Sequence, residues 1–393
     1  MSTRSKTRVL FVGHDASRTG APILLLHFLR WLSTQEGPEF EILLKNGGEL
    51  VPEYAAIAPT RVLHTSVGSS LPRRLIRRIQ RMVRGAESRA AALARRYPAK
   101  SYPLIYSNTV ANGDLVGLFG RRGHRIICHA HEMRFGIERW GGPAAQASAA
   151  FIDSLVAASN AVKRDVINQL GVSESKIEVI HEFGQPVTAT SAAQSASRER
   201  VRRELAIGAD DIVVGMCGTM DWRKGADIFP LLAQAVVRRS TDRNYRFVWL
   251  GQPPGPIETL QLNHDRTSLG LGDRIHFLGQ VPNPQDYMSA FDIFALTSRE
   301  DPCPLVMIEA GSLGLPIVCF ADSGGATDFV GNDAGAIVPY LDLDAMAAAI
   351  VRLGADKLLR TTQGRNGQLR AATGFTLQTQ APKLLAVIER HLA

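Results

Sequence analysis

The feature that most constrains this chain is an alternation that occurs twice. Short, continuously apolar runs rich in β-branched and aromatic residues are separated by longer stretches of helical periodicity. In the first half these runs are RVLFVG (8–13), FEILLK (40–45), PLIYSN (103–108), RIICHA (125–130), SLVAAS (154–159) and IEVIHE (177–182). In the second half they are DIVVGMCG (211–218), YRFVWLG (245–251), RIHFLG (274–279), FDIFALT (291–297), LPIVCF (315–320) and GAIVP (335–339). Helical patterns such as PILLLHFLRWL (22–32) and AVKRDVINQL (161–170) fall between them. Strands without polar alternation are buried on both faces, so strand–helix alternation of this kind predicts parallel sheets covered by helices on either side. Two such halves predict an α/β chain of two doubly wound, Rossmann-like domains facing a central cleft. The expected boundaries are 1–183 for the first domain, 184–200 for a linker and 201–376 for the second. The linker is read from GQPVTATSAAQSASRER, which has little apolar content. In open parallel sheets ligands bind beyond the carboxyl ends of the strands, which places the expected site in that cleft.

The 393 residues suffice for two domains of this size. No apolar run approaches the roughly 18–20 residues that span a bilayer, and VLFV near the N-terminus is too short for a signal peptide's apolar region. The expectation is a cytoplasmic protein. Cys128, Cys217, Cys303 and Cys319 are scattered without a CxxC pair, which argues against a zinc site or a disulfide framework. Charge is uneven. Residues 1–100 carry 17 Lys+Arg against 7 Asp+Glu, and the remainder 28 against 30, so the whole excess of +8 belongs to the first quarter and points to a local anionic partner.

The stretch SREDPCPLVMIEAGSLGLPIVCF (298–320) sets two carboxylates, Asp301 and Glu309, on either side of an apolar run. FDIFALT reads as a buried strand and SREDPCP as the turn after it. Pro304 suits the first helical position, where its missing N–H costs nothing, and Gly314 with Pro316 ends the helix. The free N–H groups of Leu305 and Val306, backed by the helix dipole, then form an anion site at a strand's carboxyl end, fitted to a diphosphate. Glu309, one turn into the helix among apolar neighbours, needs donors that two ribose hydroxyls would supply, and Asp301, before the helix, would reach the next group along the ligand and orient the sugar. The plainer alternative pairs Glu309 with a structural arginine and leaves Asp301 as a helix cap.

Those residues resemble the acid–seven–acid motif of the family 4 glycosyltransferases, retaining enzymes of the GT-B fold. Asp301 stands for the first glutamate, Pro302-Cys303-Pro304 for the turn, Leu305 for the leucine and Glu309 for the second glutamate, and Gly314-Leu315-Pro316-Ile317-Val318 matches the helix exit. The resemblance extends along the chain. Gly20-Ala21-Pro22 is similar to the small-residue loop after the first strand, and His131-Glu132 to the histidine-plus-acid of the first domain. Gly218 through Lys224-Gly225 is similar to the phosphate loop, and Gly324-Gly325 to a late loop. Three departures stand out: Gly218-Thr219 where Gly-Arg is common, Asp301 one methylene shorter than glutamate, and Asp328 where a glutamate is usual. The resemblance implies that Gly20 belongs to the donor site, that His131 contacts the transferred sugar, and that the helix 377–393 packs back on the first domain.

MDWRKGAD (220–227) lies between a strand and a helix. Its adjacent Arg223 and Lys224 suit a diphosphate leaving group and would neutralise charge developing there; a solvated loop is the alternative. In CHAHE (128–132), strand alternation aims His129 and His131 at opposite faces, a poor arrangement for sharing one ion. Asp342-x-Asp344 reads as a helix N-cap. There is no GxxxxGK, and no GxGxxG follows the first strand, which weakens nucleoside-triphosphatase and nicotinamide-dehydrogenase readings. Asn108 and Thr109, after PLIYSN, are candidates for touching the acceptor, with turn formation as the alternative. Residues 71–96 hold nine arginines and one acid. At about 100° per residue Arg73, Arg74, Arg77, Arg78, Arg81 and Arg84 share one helical face opposite Leu75, Ile76, Ile79, Met82 and Val83, a pattern suited to an anionic membrane surface or to docking on the chain's own domain. No aromatics interleave them, which disfavours nucleic acid.

Together these features predict a transferase that moves a sugar from a nucleoside-diphosphate sugar, its co-substrate, to a glycan or lipid-linked acceptor. The resemblance adds retention and no metal or other cofactor. The rival expectations are a nucleotide-sugar 2-epimerase-like enzyme and a non-catalytic membrane- or sugar-binding protein. A place on the inner membrane face would follow from the arginine helix.

Overall fold

The computed structural model describes residues 8–64, 86–184, 190–240, 242–253 and 255–393. The arginine face of Arg73, Arg74, Arg77, Arg78, Arg81 and Arg84 lies outside the described residues. The chain divides into two compact units, one formed by Met1–His181 with Gln380–Ala393 and the other by Glu182–Thr379.

The first unit is built on seven parallel strands: β1 (Arg8–Gly13), β2 (Glu39–Asn46), β3 (Thr60–His64), β4 (Leu104–Ser107), β5 (Arg125–Ala130), β6 (Ser154–Ala157) and β7 (Ile177–Val179). Their order is β3-β2-β1-β4-β5-β6-β7. The chain runs outward from β1, then returns to lay β4 on its other side, so a topological switch point falls between β1 and β4. The central strands are apolar throughout because helices cover both faces; Val9 through Val12 are at most 1% exposed. The strand β3 was not anticipated. It is an edge strand whose five residues are only half-buried or exposed, so TRVLH carries no continuous apolar signal. The last helix, Leu377–Leu392, contributes Gln380 onward to this unit. There Leu384, Val387 and Ile388 are buried, Arg390 pairs with Glu178, and Arg125 donates to the His391 carbonyl at 2.8 Å.

The second unit holds six parallel strands: β8 (Ile212–Cys217), β9 (Tyr245–Leu250), β10 (Ile275–Phe277), β11 (Ile293–Leu296), β12 (Ile317–Phe320) and β13 (Gly335–Val338). The order β10-β9-β8-β11-β12-β13 puts its switch point between β8 and β11. Phe229 and Trp249 meet edge to face at 5.1 Å under this sheet, and both are fully buried. The loops that leave the carboxyl ends of β8 and β11, residues 218–227 and 297–304, therefore lie side by side where a ligand of such a sheet binds.

The stretch expected as a linker is largely helix. Ser191–Glu204 is started by Thr190, whose side chain accepts from Ala193 N at 3.3 Å. Only Val201 and Arg202 of this helix are buried. It docks through guanidinium groups rather than an apolar stripe, which explains why its composition read as unstructured. Arg198 and Arg202 each reach one oxygen of Asp292 at 2.7 Å, and Arg202 also donates to the carbonyls of Gly208, Ala209 and Asp211. Asp292 further accepts from Val213 N at 2.8 Å, which fixes the amino ends of β8 and β11 to the helix. Removing one partner of a buried ion pair strands the other charge. Asp292→Ala is expected to lower the unfolding free energy by about 3 kcal/mol, read as a reduced urea midpoint at unchanged slope. A loss below about 1 kcal/mol would mean that the carbonyl contacts alone hold the helix.

Candidate functional site

The loops after β8 and β11 are zipped together by main-chain and side-chain bonds. Arg299 N donates to the Arg223 carbonyl at 2.8 Å, and Arg223 Nη1 returns a bond to the Glu300 carbonyl at 2.9 Å. Thr297 Oγ1 lies 3.1 and 3.2 Å from the carbonyls of Lys224 and Gly225. Two glycines allow the approach. A Cβ on Gly225 (φ 75°) would fall 2.0 Å from the Thr297 carbonyl oxygen, and one on Gly324 (φ 143°) 1.8 Å from that of Asp301. Both positions also lie in backbone conformations that side-chain-bearing residues rarely adopt.

Asp301 sits at the centre of this knot. It is 5% exposed, and its carboxylate meets Lys224 Nζ at 2.5 Å, Arg223 Nη1 at 3.6 Å and Ser298 Oγ at 3.3 Å. Its main chain is held as well, with N donating to Ser323 O at 2.7 Å and its carbonyl accepting from Gly325 N at 3.1 Å. The expectation from sequence had Asp301 reaching outward along the ligand. The structure instead turns it inward onto the two cations read as the diphosphate grip, because a buried carboxylate needs compensating charge and donors.

The helix Leu305–Ser312 begins directly after this turn. Pro304 is its N-cap, at φ −65° and ψ 111°, one position before the place expected for it, and no side chain caps the helix. Leu305 and Val306 open the first turn and are half-buried. Their N–H groups have no intrahelical acceptor, and they follow Asp301 by four and five residues. Glu309, one turn on, is half-buried, and burial alone raises its carboxyl pKa. Glu309 and Lys224 both act on the Cys217 thiol at the end of β8. Burial chiefly lifts that thiol to about 12, with Glu309 raising it further and Lys224 opposing. Lys224, Asp301, the helix start and Glu309 thus share one end of the second unit's sheet. All four cysteines are buried and free.

In the first unit the site residues gather where β1, β4 and β5 end. Gly20 is the first residue of the helix Gly20–Leu32, and a Cβ there would meet nothing within 4 Å, so the surrounding protein does not require glycine. Asn108 is 2% exposed. Its amide donates to the Ala21 carbonyl at 2.9 Å, and its oxygen faces His131 Nε2 at 3.3 Å. Thr109 is fully buried and gives its hydroxyl to Glu132, whose other oxygen takes His131 N at 2.9 Å and Val110 N at 3.4 Å. Asn108 and Thr109 therefore fix the loops around His131; the acceptor-touching surface expected of them is not presented. Glu132, 7% exposed, was legible only as His131's neighbour, yet it organises both loops. The two histidines also differ from expectation. The strand β5 stops at Ala130, so alternation lapses and the rings of His129 and His131 come within 4.0 Å at 39°. Burial, with a smaller effect of His131, holds the His129 pKa well below its ordinary value, and Tyr106 OH lies 2.7 Å from its Nδ1. Among the described residues no group of three or more His, Cys, Asp or Glu is placed to hold a metal ion, and no helix is long and apolar enough to cross a membrane. Asp342 is the N-cap of Leu343–Ala355 and accepts from Ala345 N at 2.9 Å.

Residues 19–183 match the family model described as Glycosyltransferase Family 4, and residues 211–356 the model described as Glycosyl transferases group 1. A D-inositol 3-phosphate glycosyltransferase of Catenulispora acidiphila is 28% identical over 241 residues, covering 60% of this chain and 56% of that protein. The chain spans little more than half the length of such curated relatives. The crystal structure of Anabaena HepE in complex with UDP is similar at a TM-score of 0.78 and 21% identity, covering 98% of this chain and 100% of that one. HepE in complex with UDP-glucose gives 0.74 at 20% identity, covering 98% and 99%.

Glu309 supplies a sign-specific test of its environment. A carboxyl whose folded pKa exceeds its unfolded value contributes stability that is fully present below the unfolded pKa and is lost as pH rises through the folded one. Glu309→Gln, neutral throughout, escapes that loss. Its melting temperature relative to wild type is expected to rise between about pH 4 and about pH 7 in the nucleotide-free protein. A flat difference across that range would mean that the carboxyl is solvated.

Proposed function

Because the chain belongs to the family 4, group 1 glycosyltransferases and has their GT-B fold of two Rossmann-like domains, we propose that it transfers a sugar from a nucleoside-diphosphate sugar to a glycan or lipid-linked acceptor, with retention and without a metal ion. The observation that carries the reading is the gathering of Arg223, Lys224, the open helix start at Leu305 and the half-buried carboxyl of Glu309 at one switch point. In this reading the donor belongs to the second unit. Its diphosphate lies against the Leu305 and Val306 N–H groups and draws Lys224 partly away from Asp301, while Arg223 stays tied to the Glu300 carbonyl. Glu309 accepts from the ribose hydroxyls, which offset the burial that raises its carboxyl pKa. Asp301, released in part from Lys224, orients the transferred sugar, and His131 and Gly20 are the first unit's candidates for contacting the sugar and the donor.

The chemistry follows from charge. As the anomeric C–O bond breaks, negative charge grows on the leaving diphosphate, and two fixed cations with a helix N-terminus stabilise it. That positive charge takes the place of a divalent ion. The acceptor hydroxyl attacks from the face the diphosphate leaves, and its proton passes to a leaving-phosphate oxygen, which gives retention. UDP-glucose is the first donor to try, since HepE, of similar fold, was crystallised with it.

Incubation with a panel of nucleotide sugars and nucleoside diphosphates should raise the melting temperature, with UDP among the stabilising ligands and the shift reduced in Lys224→Ala. With the stabilising donor, acceptor-dependent release of nucleoside diphosphate should persist in excess EDTA and give product of the donor's anomeric configuration. Acceptor-free conversion of one nucleotide sugar into another would replace the reading with an epimerase, and no nucleotide binding at all would reduce the protein to a binding module.

The nine arginines of residues 71–96 support an acceptor presented at an anionic membrane surface. Vesicles containing phosphatidylglycerol should co-sediment the protein, and neutral vesicles should not. Equal partition into both would remove the membrane from the proposal.

A further inference from the structure

The two cations of the phosphate loop are themselves held by a residue outside the grip. Arg299, on the β11 side of the zip, is 15% exposed. Its Nη1 donates to the Trp222 carbonyl and to Asp227 Oδ1, both at 2.7 Å, and its Nη2 donates to Asp227 Oδ2 at 2.7 Å. The guanidinium carbon lies 4.9 Å from the centroid of the Trp222 ring, within cation–π range. Asp227 directly precedes the helix Ile228–Arg239, and Trp222 opens the turn that carries Arg223 and Lys224. One planar fork therefore clamps both ends of residues 222–227 while its own backbone N–H holds the Arg223 carbonyl in the middle. The Arg299 and Asp227 side chains bond to the turn and to each other rather than to Asp301 or the helix start, so each acts on the cations only through the loop.

We propose that Arg299, with Asp227 and the Trp222 ring, is a positioning device for the diphosphate grip: it fixes the turn so that Lys224 and Arg223 meet an incoming diphosphate already ordered. The proposal rests on the donor reading given above and names a residue that reading does not use. A turn of this length would otherwise have to be ordered when the ligand binds, at a cost in affinity. Lysine cannot replace the arginine here, because it lacks the planar fork that meets a carboxylate and a carbonyl together and stacks flat on an aromatic ring.

The test is a double-mutant cycle on UDP affinity by titration calorimetry with the full chain: wild type, Arg299→Lys, Lys224→Ala and the double variant. Arg299→Lys is expected to weaken UDP about tenfold while the nucleotide-free melting transition stays cooperative, and to add little once Lys224 is gone. Asp227→Asn, which keeps the shape but loses the charge, should fall between wild type and Arg299→Lys, and it carries the test if the arginine variant fails to fold. A wild-type affinity in Arg299→Lys or Asp227→Asn, or a loss that adds in full to that of Lys224→Ala, overturns the positioning role while leaving the donor reading intact. If wild type binds none of UDP, ADP and GDP, the donor reading and this role fall together.

Discussion

A buried carboxylate holds the working end of the second unit together. Asp301 draws Lys224, Arg223 and Ser298 onto one point and is pinned along its backbone by the loop after β12. Taking such a charge out of water is costly unless it is fully partnered, and the partners it collects come from separate loops. The need to satisfy one acid thus brings the ends of β8, β11 and β12 into register. Gly225 and Gly324 follow from it, since no other residue type admits backbone so close. Glu309 contrasts with it: similar in chemistry, one turn into the adjoining helix, yet with its carboxyl pKa raised by burial. One acid is held by fixed cations, and on the other only burial acts.

The first unit uses the same device with neutral groups. Glu132 is the hub there, taking the Thr109 hydroxyl and the main-chain N–H groups of Val110 and His131. His131 is aimed by Asn108, and Asn108 in turn is fixed to the start of the helix Gly20–Leu32. The switch point between β1 and β4 is therefore wired by hydrogen bonds from neighbouring strand ends, as the second unit's is by charge.

The strands were legible because each central one is buried on both faces, and an unbroken apolar run of four to six residues between helical patterns fits little besides a strand covered on both sides. The helix after Asp301 was legible from Pro304, Gly314 and Pro316, to within one position at its start. What escaped detection had no apolar signature. The edge strand β3 buries too little, and the helix Ser191–Glu204 docks by arginines. The inward turn of Asp301, the stacking of His129 on His131 and the Thr109–Glu132 bond depend on how loops from distant parts of the chain fall together, which local pattern does not encode. Sequence named most of the residues that gather at the switch points; it offered Asp301, Asn108 and Thr109 as ligand contacts, with a helix cap and turn formation as the alternatives, because candidate ligands were in view and candidate neighbours were not.

The opposite ends of the second sheet's strands also bear comparison. At the amino ends of β8 and β11, Asp292 is gripped by Arg198 and Arg202, both further committed to main-chain carbonyls. At the carboxyl ends Asp301 is gripped by a lysine whose ammonium meets no second acceptor among the described residues, on a turn restrained from outside. One arrangement is a rivet and the other a latch. A flexible ammonium can swing from carboxylate to phosphate without breaking any other bond, whereas forked guanidiniums tied to carbonyls cannot. Ion pairs of similar composition thus give this sheet one end whose cations are committed several times over and one whose lysine has a single tie.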